Sequence, residues 1–410
     1  MQKWSFLCLF PLLAMAGNLP ELLSLAEQNK LVESSRYSVE SAQEKEYALK
    51  SSYLPSLSLG ANQTFNQVES VLSPDKSRTG SATLSFVIYD GGKRGALFDQ
   101  QEALVRSATF SLSSTQNNVS LNVVYYYYNY LSTLASKEAT LQKKEQLEAE
   151  RYRLEKFLSV GTTTEDELQK IVSNIEQTNV DLLSLDNTLN NISNALEYLT
   201  GTRVSVEKGS ILRLENTAEN TSERFDILAM EQNVQSAKSE ADVAKAGYLP
   251  TIKLQDTYSR YKYDYENPNS AQNDGDHQNT VMLALEWKVF DFGSTAATDE
   301  AARKNYLAKS SELSYEKSKA KASLKSAQNS YQTALAKIEA ARAKLTASSM
   351  TYELVKKKYQ QGIVNNVSYL DALSDKYNAT SQLQTALNEV EYQKAVLLYE
   401  MGREIKGAIQ

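Results

Sequence analysis

The chain has few of the residues that catalytic and metal sites are built from. Its 410 residues include one histidine, His277, and one cysteine, Cys8, so the usual parts of a catalytic triad or a zinc site are missing. The net charge of −6 is mild, and without a long basic block nucleic-acid binding has little support. The pair Gly91-Gly92 lacks the spacing of a phosphate loop. We therefore expect no enzyme, no cofactor and no nucleic-acid partner.

Proline is also scarce, and its six residues stand at positions 11, 20, 55, 74, 250 and 268. Because proline interrupts helices, the intervals 75–249 and 269–410 are free to be helical. Beyond residue 16, no apolar run approaches the roughly 20 residues of a membrane-spanning helix. If this chain crosses a membrane, it must do so with strands.

Residues 1–16 have the pattern of a secretory signal. Lys3 precedes an apolar run from Trp4 to Ala14, and Ala14 and Ala16 form a small-x-small cleavage site. A buried N-terminal helix is the alternative interpretation. Cys8 lies inside this segment.

A change of period marks the middle of each half of the chain. Residues 80–88 alternate between apolar and polar, which predicts a strand, and the stretch from Lys93 to about Leu158 predicts one helix roughly 100 Å long. The same change follows the alternating segment 280–290, where a helix is predicted over about 294–360. The residues predicted to form these strand-to-helix junctions are Asp90, Gly91, Gly92, Asp291 and Gly293.

The remaining elements follow from breakers and alternation. Leu19 to about Ser52 predicts one helix, which Tyr53-Leu54-Pro55 ends. Helices are predicted from Thr164, as an N-cap, to Gly201, and from the turn at Gly362 to Met401. Further strands are predicted near 57–65 and at 251–264. Loops at 66–79 and 265–279 join them to the strands that precede the long helices, and a short strand is also predicted within 202–218.

Three pairs of landmarks recur 201 positions apart: Tyr89 with Phe290, Gly161 with Gly362, and Gly201 with Gly402. Chance repetition at three landmarks is improbable, so the chain is predicted to be an internal duplication. The first repeat covers 17–201, a connector covers 202–218, and the second repeat covers 219–410.

Four strands per chain are too few to close a membrane barrel, although their alternation suits one. An open sheet edge is not tolerated in lipid. Other copies of the chain must therefore complete the sheet, and three copies would give twelve strands. The predicted fold class is mainly α with membrane β: a trimeric 12-stranded β-barrel continued by a long α-helical barrel.

Several short motifs are each weak evidence for a family, but their order along the chain and their recurrence in both halves make a specific pattern. They are Leu22 to Asn29 (LLSLAEQN), the two Tyr-Leu-Pro triplets at Tyr53 and Tyr248, Tyr89 to Arg94 (YDGGKR), Tyr359 to Gly362 (YQQG) and Leu370-Asp371-Ala372. With them the chain resembles the TolC family of outer-membrane efflux and secretion channels. The resemblance implies an outer-membrane homotrimer with a periplasmic helical tunnel, a periplasmic adaptor and an inner-membrane RND or ABC transporter as partners, and passive export.

The resemblance also implies a periplasmic aperture near the helix-turn glycines Gly161 and Gly362. The family's aperture acid, six positions after the turn glycine, maps to Glu167 and to Ser368, and the acid nine positions after it maps to Asp371.

The family's closing aromatic residue maps to Tyr359, and the position of its basic locking residue is occupied here by Val364. We therefore expect one acidic ring at Asp371, with Glu167 and Asp166 nearby. The alternative is that these acids only stabilise helix starts.

Other aromatic and polar signals have plainer interpretations. Tyr125 to Tyr128 cover a full helix turn and are expected to pack between helices rather than bind a ligand. Tyr258, Tyr261, Tyr263 and Tyr265 fit an aromatic girdle at a membrane interface better than a glycan site. His277 is expected to be a solvated loop residue rather than a metal ligand.

Two other classes of protein have long helices. A periplasmic adaptor would carry one helical hairpin flanked by glycine-rich domains, and a coiled-coil structural or adhesive fibre would show sustained heptads without paired strands. Both fit the doubled strand pairs less well than a channel does. The cargo, whether drugs, metals or proteins, is not encoded in these features.

Overall fold

The computed structural model describes residues 15–68, 74–214, 223–265 and 276–409, and it is mainly helical. Its elements are β1 (Met15–Gly17), α1 (Leu19–Ala26), α2 (Lys30–Ser52), β2 (Ser56–Phe65), β3 (Lys76–Tyr89), α3 (Lys93–Ser159), α4 (Glu165–Thr200), β4 (Val204–Val206), α5 (Phe225–Lys245), β5 (Thr251–Asp264), β6 (His277–Glu286), α6 (Ser294–Gln360) and α7 (Asn366–Glu400).

The chain divides into two compact units. The helical unit comprises Met1–Ser35, Leu112–Phe225 and Lys317–Gln410, and the sheet unit comprises Arg36–Ser111 and Asp226–Glu316. Each unit takes segments from both halves of the chain. Helices α3 and α6 contribute residues to both units.

The sheet unit contains an antiparallel sheet of four strands in the order β2-β3-β5-β6. The register sets Leu57 opposite Leu84 and Thr83 opposite Thr257, and it shifts once, between Val87 and Tyr89. Within the described residues, β2 and β6 each pair on one side only.

The two faces of this sheet differ in chemistry, because neighbouring residues of a strand point to opposite faces and paired residues share one. One face, called here the hydroxyl face, carries mainly polar residues, for example Ser58, Thr83, Thr257 and Thr280, although Met282 and Ala284 of β6 also lie on it. The opposite apolar face carries Leu57, Leu59, Leu84, Leu254, Val281, Leu283 and Leu285, all of which are exposed.

The predicted strands are present, but three of their bounds were wrong. Strand β3 begins at Lys76 and β6 at His277, so the strand pairing takes in residues that were predicted to be loop, and His277 lies in a strand. Strand β6 ends at Glu286 although the alternation continues to Val289. Beyond the end of the strand, the indole N–H of Trp287 donates a hydrogen bond to the backbone carbonyl of Tyr248 (3.1 Å).

The predicted aromatic girdle is also wrong for part of its set. Tyr258 lies on the apolar face, whereas Tyr261 and Tyr263 lie on the hydroxyl face, an odd number of residues away along β5. Their rings stack on each other with centroids 5.8 Å apart and an interplanar angle of 11°. An aromatic belt requires side chains on one surface, so Tyr258 cannot belong to the same belt as these two tyrosines.

The long helices agree closely with the prediction. Helices α3 and α6 each run for 67 residues, from Lys93 to Ser159 and from Ser294 to Gln360. Their sequences contain no proline, and Gly95 is the single glycine in the two helices. No helix-breaking proline therefore interrupts the backbone ladder, although residues 109–136 of α3 are rich in serine, threonine, asparagine, valine and tyrosine, whose helix propensity is lower.

The single helix predicted over 19–52 is wrong, because the chain breaks between α1 and α2. Asn29 sits at the break, and its side chain accepts a hydrogen bond from the amide of Leu31 (2.8 Å). The same side chain donates to the carbonyl of Leu199 (2.9 Å) near the end of α4. Asn29 thus caps α2 and satisfies an end carbonyl of another helix, a contact 170 residues away that local sequence does not reveal.

Buried tyrosines hold the core of the helical unit. Tyr127 and Tyr128 are buried together with Leu19, Leu22 and Leu196, whereas Tyr125 is exposed, so the packing expected for Tyr125 to Tyr128 is found for only part of that run. The Tyr127 hydroxyl donates to the carbonyl of Glu207 (2.7 Å), and that of Tyr128 donates to the carbonyl of Ser210 (3.0 Å). These bonds attach α3 to the connector.

The connector also has the short strand predicted for it. Strand β4 pairs in parallel with β1, and Leu212 forms a bridge with Ile409. The Asn117 side chain donates to the carbonyl of Arg403 and accepts from the amide of Ile405. The end of the chain is therefore bonded to both the connector and α3.

Glycine ends the helices where the sequence predicted it. Gly161, Gly201, Gly362 and Gly402 all have φ between 71° and 77°, a conformation that other residues rarely adopt. Thr164 is the N-cap of α4, but its side chain makes no capping hydrogen bond to the backbone.

No helix in the described part of the chain is both long enough and apolar enough to span a membrane. Most of the predicted signal segment, residues 1–14, lies outside the described residues, as do 69–73 and 266–275 of the two predicted hairpin loops.

Candidate functional sites at the helix turns and the strand-to-helix junctions

The turns at Gly161 and Gly362 lie beside a cluster of aromatic and charged side chains in the helical unit. Tyr359 of α6 and Tyr369 of α7 are both buried, and their rings stack with centroids 4.8 Å apart and an interplanar angle of 15°. Tyr352, one helical heptad before Tyr359, lies 6.2 Å from Tyr369. We call the set Glu150, Arg153, Tyr352, Tyr359 and Tyr369 the turn cluster.

A partly buried ion pair also contacts the Tyr359 ring. The Arg153 guanidinium lies 4.7 Å from the ring centroid, in cation–π geometry. It forms a bidentate pair with the carboxylate of Glu150, with a Nε–Oε2 distance of 3.0 Å. Glu150 is a buried acid, and a buried carboxylate requires such a partner. Helix α3 is thereby attached to α6 and, through the tyrosine stack, to α7.

The tyrosines of the cluster have altered acidity. Burial raises the pKa of Tyr359, and the nearby Glu150 carboxylate raises it further. Burial likewise raises the pKa of Tyr369, with added contributions from Tyr352 and Glu150. The Tyr359 hydroxyl has no hydrogen-bond partner in the described part of the chain. These groups remain neutral at physiological pH and act through packing.

The predicted aperture residues lie at the starts of α4 and α7. Asp371 and Ser368 are both exposed, and their spacing of three puts them on one side of α7. The Ser368 amide and hydroxyl both donate to Asn365, the N-cap of α7 (3.0 and 2.9 Å). Val364, at the position of the family's basic lock, packs against the hydrophobic residues around the turn cluster.

The acids of α4 have partners of their own. Glu167 is half-buried and accepts a hydrogen bond from the Thr163 hydroxyl (2.6 Å). Asp166 is exposed and pairs with Lys170 (3.2 Å). The Thr164 hydroxyl and the Lys170 ammonium hold the pKa of Asp166 below its usual value. Asn366 donates to the Glu167 carbonyl (3.2 Å), which joins the start of α7 to the start of α4.

Sequence reasoning found Tyr359 but missed the residues that surround it. Glu150 and Arg153 stand in the charged stretch 143–156, where local pattern cannot separate a buried pair from surface pairs. Tyr369 could have been found, because Tyr352 and Tyr359 already marked one face of α6 at a spacing of seven. A buried face of that kind requires a partner on the following helix.

The first strand-to-helix junction lies in the sheet unit and is tightly packed. Gly91 has φ of 72°, and a Cβ built on it would lie 2.8 Å from the Cβ of Leu249 and 3.0 Å from the carbonyl oxygen of Ala246. Arg94 donates to the carbonyl of Val87 and covers the ring of Tyr53 at 4.8 Å. Gly91 is thus required both because its φ is positive and because Leu249 and Ala246 leave no room for a Cβ atom.

The second junction has a side chain where the first has glycine. Phe292 corresponds to Gly91 and has φ of 53°, the one positive φ of a non-glycine residue in the described chain. Asp291 stabilises the turn by accepting from the amides of Gly293 (3.1 Å) and Thr295 (2.8 Å) and from the Thr295 hydroxyl. The bonds from Thr295, with that from Gly293, lower the pKa of Asp291.

Described residues form no group of three or more histidine, cysteine, aspartate or glutamate side chains arranged to hold a metal ion. His277 contacts Asp276 through Nδ1 (2.6 Å), and both residues are exposed.

Known structures share this fold. A membrane protein of Pseudomonas aeruginosa superposes with a TM-score of 0.84 at 18% identity, covering 94% of this chain and 93% of that one. The outer membrane protein VceC of Vibrio cholerae also gives 0.84, at 17% identity, with 94% and 96% covered.

Comparison of amino-acid sequences also finds relatives among outer-membrane proteins. The outer membrane protein TolC of Salmonella enteritidis is 22% identical over 397 residues, which span 92% of this chain and 80% of TolC. The family model described as outer membrane efflux protein matches twice, over residues 22–202 and 218–401. These two matches cover most of the chain, which is therefore an outer-membrane protein and belongs to the outer membrane efflux protein family.

Proposed function

We propose that three copies of this chain form a channel through the outer membrane, with a 12-stranded β-barrel in the lipid and a helical tunnel that extends into the periplasm. Residues 1–16 would serve as the export signal. The channel conducts its cargo passively, without chemistry of its own.

The observation that carries this proposal is the open four-stranded sheet. Strands β2 and β6 form its edges, and all ten residues of β2 are exposed. Unpaired backbone groups at such edges cannot be left in lipid. Pairing β2 of one copy with β6 of the next removes every edge and needs no further chain.

The two faces of the sheet support the same arrangement. The apolar face suits contact with lipid, and the hydroxyl face suits a water-filled interior. Serine, threonine and asparagine dominate the hydroxyl face along β2 and β3, from Ser56 to Thr64 and from Ser77 to Ser85. This part of the channel wall is uncharged and would not select strongly by charge.

Selection would instead occur at the periplasmic end, near the turns at Gly161 and Gly362. Three copies of Asp371 around a narrow axis would repel one another and attract cations. The turn cluster would hold the ends of α3, α6 and α7 together, while the contact of Asn366 with Glu167 adds α4. Opening would require these contacts to shift.

We further propose that the chain arose by internal duplication, with repeats at 17–201 and 219–410. The double match of one family model and the repeated order of helix, two strands, long helix and helix support this. The partners would be a periplasmic adaptor and an inner-membrane RND or ABC transporter, of which the transporter would determine the cargo.

Cysteine cross-linking tests the proposed closure. Leu59→Cys on β2 and Leu283→Cys on β6 would be combined in a Cys8→Ala background and oxidised in isolated outer membranes. We expect covalent dimers and trimers, and none from either single variant. A matched pair on the inner strands, Ala82→Cys with Tyr258→Cys, should give only internal cross-links.

The two alternative functions predict different results. A periplasmic adaptor would be recovered with the inner membrane or in soluble form, and a coiled-coil fibre would cross-link through its helices rather than through β2 and β6. A monomer with no intermolecular product in the outer membrane would count against the channel.

A further inference from the structure

Three basic side chains lie together on the apolar face of the sheet, near the ends of β3 and β5 that are farthest from the strand-to-helix junctions. Arg78 of β3 is directly opposite Lys262 of β5, and Arg260 lies one row nearer the junctions. All three residues are exposed. They share the face of Leu84 and Leu254, because an even number of positions separates them along each strand. We call Arg78, Arg260 and Lys262 the basic cluster.

The basic cluster has too few negative partners. Directly opposite residues in an antiparallel sheet have Cβ atoms about 5 Å apart, and like charges at such positions destabilise the pairing. The carboxylate of Asp264 lies 3.4 Å from the guanidinium of Arg78. Neither Arg260 nor Lys262 forms an ion pair with a carboxylate in the described part of the chain. Two of the three charges therefore lack a counter-charge among the described residues.

Other acids near these strands are bonded elsewhere or lie too far away. Asp276 makes its close contact with Nδ1 of His277, the neighbour of Arg260 in β6, at 2.6 Å. Asp256 is on the same face as the cluster but stands four residues before Arg260, about 13 Å along the strand. An anion from outside the chain is therefore the counter-charge that the cluster lacks.

The sheet leaves space for such an anion between the cationic side chains. Gly80 lies directly opposite Arg260 and two positions from Arg78, and Ala61 is its neighbour in β2. A Cβ built on Gly80 would meet nothing within 4 Å. The two arginines thus flank a small, open patch of sheet. A guanidinium group donates two parallel hydrogen bonds to phosphate oxygens, so this arrangement suits a phosphate group.

The height of the cluster on the sheet indicates where that phosphate comes from. Arg260 stands nine residues after Thr251, the first residue of β5. That stretch spans about 30 Å along the strand, or about 23 Å across a membrane at a strand tilt of about 40°. The apolar band of an outer-membrane barrel is about 25 Å tall. The cluster would therefore lie at the headgroup layer of the leaflet that faces away from the periplasm.

We propose that the basic cluster binds a phosphate group of an anionic lipid in the outer leaflet of the outer membrane. The occupant is a lipid, because the cluster continues the face of the sheet that we assign to lipid and stands at headgroup height. The inference rests on the proposed barrel, which makes that face the outer wall. Each chain holds one complete site between β3 and β5, so a trimer would bind three such lipids.

Native mass spectrometry of purified trimers tests this inference. Trimers in dodecyl maltoside would be titrated with diphosphoryl lipid A, and the retained lipids counted at each concentration. The double variant Arg260→Gln/Lys262→Gln removes two charges from the cluster. Lys253→Gln is the matched control, because it removes one charge from an exposed residue of the same strand on the opposite face.

We expect the wild-type trimer to retain up to three lipids and the double variant to bind about tenfold more weakly, since charge-assisted contacts are lost. Lys253→Gln should bind as the wild type does. Gly80→Leu keeps all three charges but fills the space between them, and it should weaken binding as well. Asp264→Asn removes the carboxylate that competes for Arg78 and should strengthen binding, which a purely structural role would not produce.

The remaining outcomes separate the lipid site from the barrel. Equal retention of lipid A stripped of its phosphates would overturn the site, as would displacement of lipid A by an equal concentration of inorganic phosphate. Unchanged binding in both Arg260→Gln/Lys262→Gln and Gly80→Leu would overturn it too. These results would leave the barrel intact wherever Leu59→Cys and Leu283→Cys still cross-link. Absence of that cross-link together with absence of retained lipid would contradict the barrel, and the lipid site with it.

Discussion

The ring of Tyr359 lies parallel to that of Tyr369, with centroids 4.8 Å apart, across the turn between α6 and α7. Arg153 of α3 also lies over the Tyr359 ring, 4.7 Å from its centroid. One buried side chain thus joins three helices near the turn where we propose that the channel closes.

Removal of the Tyr369 ring should loosen the turn cluster. Tyr369→Ala deletes a buried aromatic side chain and is expected to lower stability by about 3–5 kcal/mol. Tyr369→Phe keeps the stack and should cost less than about 1.5 kcal/mol. Thermal unfolding of purified trimers followed by circular dichroism measures both. Equal losses for the two variants would show that the hydroxyl, rather than the ring stack, stabilises the turn.

Alkaline pH should destabilise the same region. The pKa of Tyr359 and of Tyr369 is raised by burial above the ordinary value of 10.0. Their contribution to stability is therefore complete below pH 10. It is lost as the pH rises further, because the unfolded chain ionises first. The melting temperature should fall above pH 10, and less so in the double variant Tyr359→Phe/Tyr369→Phe. An identical fall in both proteins would contradict this origin.

The two glycines of the first junction should differ in their tolerance of a side chain. Gly92→Ala meets nothing within 4 Å and bears only the strain of a positive φ, about 1–2 kcal/mol. Gly91→Ala bears the same strain and also clashes with Leu249 and the Ala246 carbonyl. We expect normal amounts of heat-modifiable trimer for Gly92→Ala and a marked loss for Gly91→Ala. Similar yields would mean that this junction is not closely packed.

Loss of the Asp371 charge should weaken cation selectivity. In planar bilayers, Asp371→Ala is expected to move the reversal potential in a salt gradient toward zero and to relieve block by divalent cations, since the ring of three carboxylates is removed. Glu339→Ala, an exposed acid in the middle of α6, is the control and should change neither property. If Asp371→Ala behaves like the control, Asp371 is a solvated helix-start acid and not part of the aperture.

The sequence was sufficient where the signal is local. The ends of helices α3 and α6 were predicted within a residue or so because no proline interrupts either helix. The turn glycines were recognised because glycine is the residue that most readily adopts the positive φ of a helix end. The sequence also indicates that Tyr261 and Tyr263 lie on the face of β5 opposite to Tyr258, because an odd number of positions separates them from it.

The sequence was insufficient where one residue acts over a long separation. Asn29 interrupts the first helix because Leu199 offers it a carbonyl, and Arg153 is half-buried because it lies against the ring of Tyr359. Neither partner can be identified from periodicity, since both contacts join segments more than 150 residues apart. The orientation of Phe292 likewise became evident only when its φ and exposure were known.

We propose above that three copies of this chain form one outer-membrane channel. Single-channel recording from trimers purified from outer membranes and added to a planar lipid bilayer tests it most directly. We expect discrete conductance steps, one per inserted trimer, that disappear when the trimer is heated to monomer before addition. Protein that assembles and inserts into the bilayer but carries no current, in the wild type and in the loosened Tyr369→Ala variant alike, would contradict it.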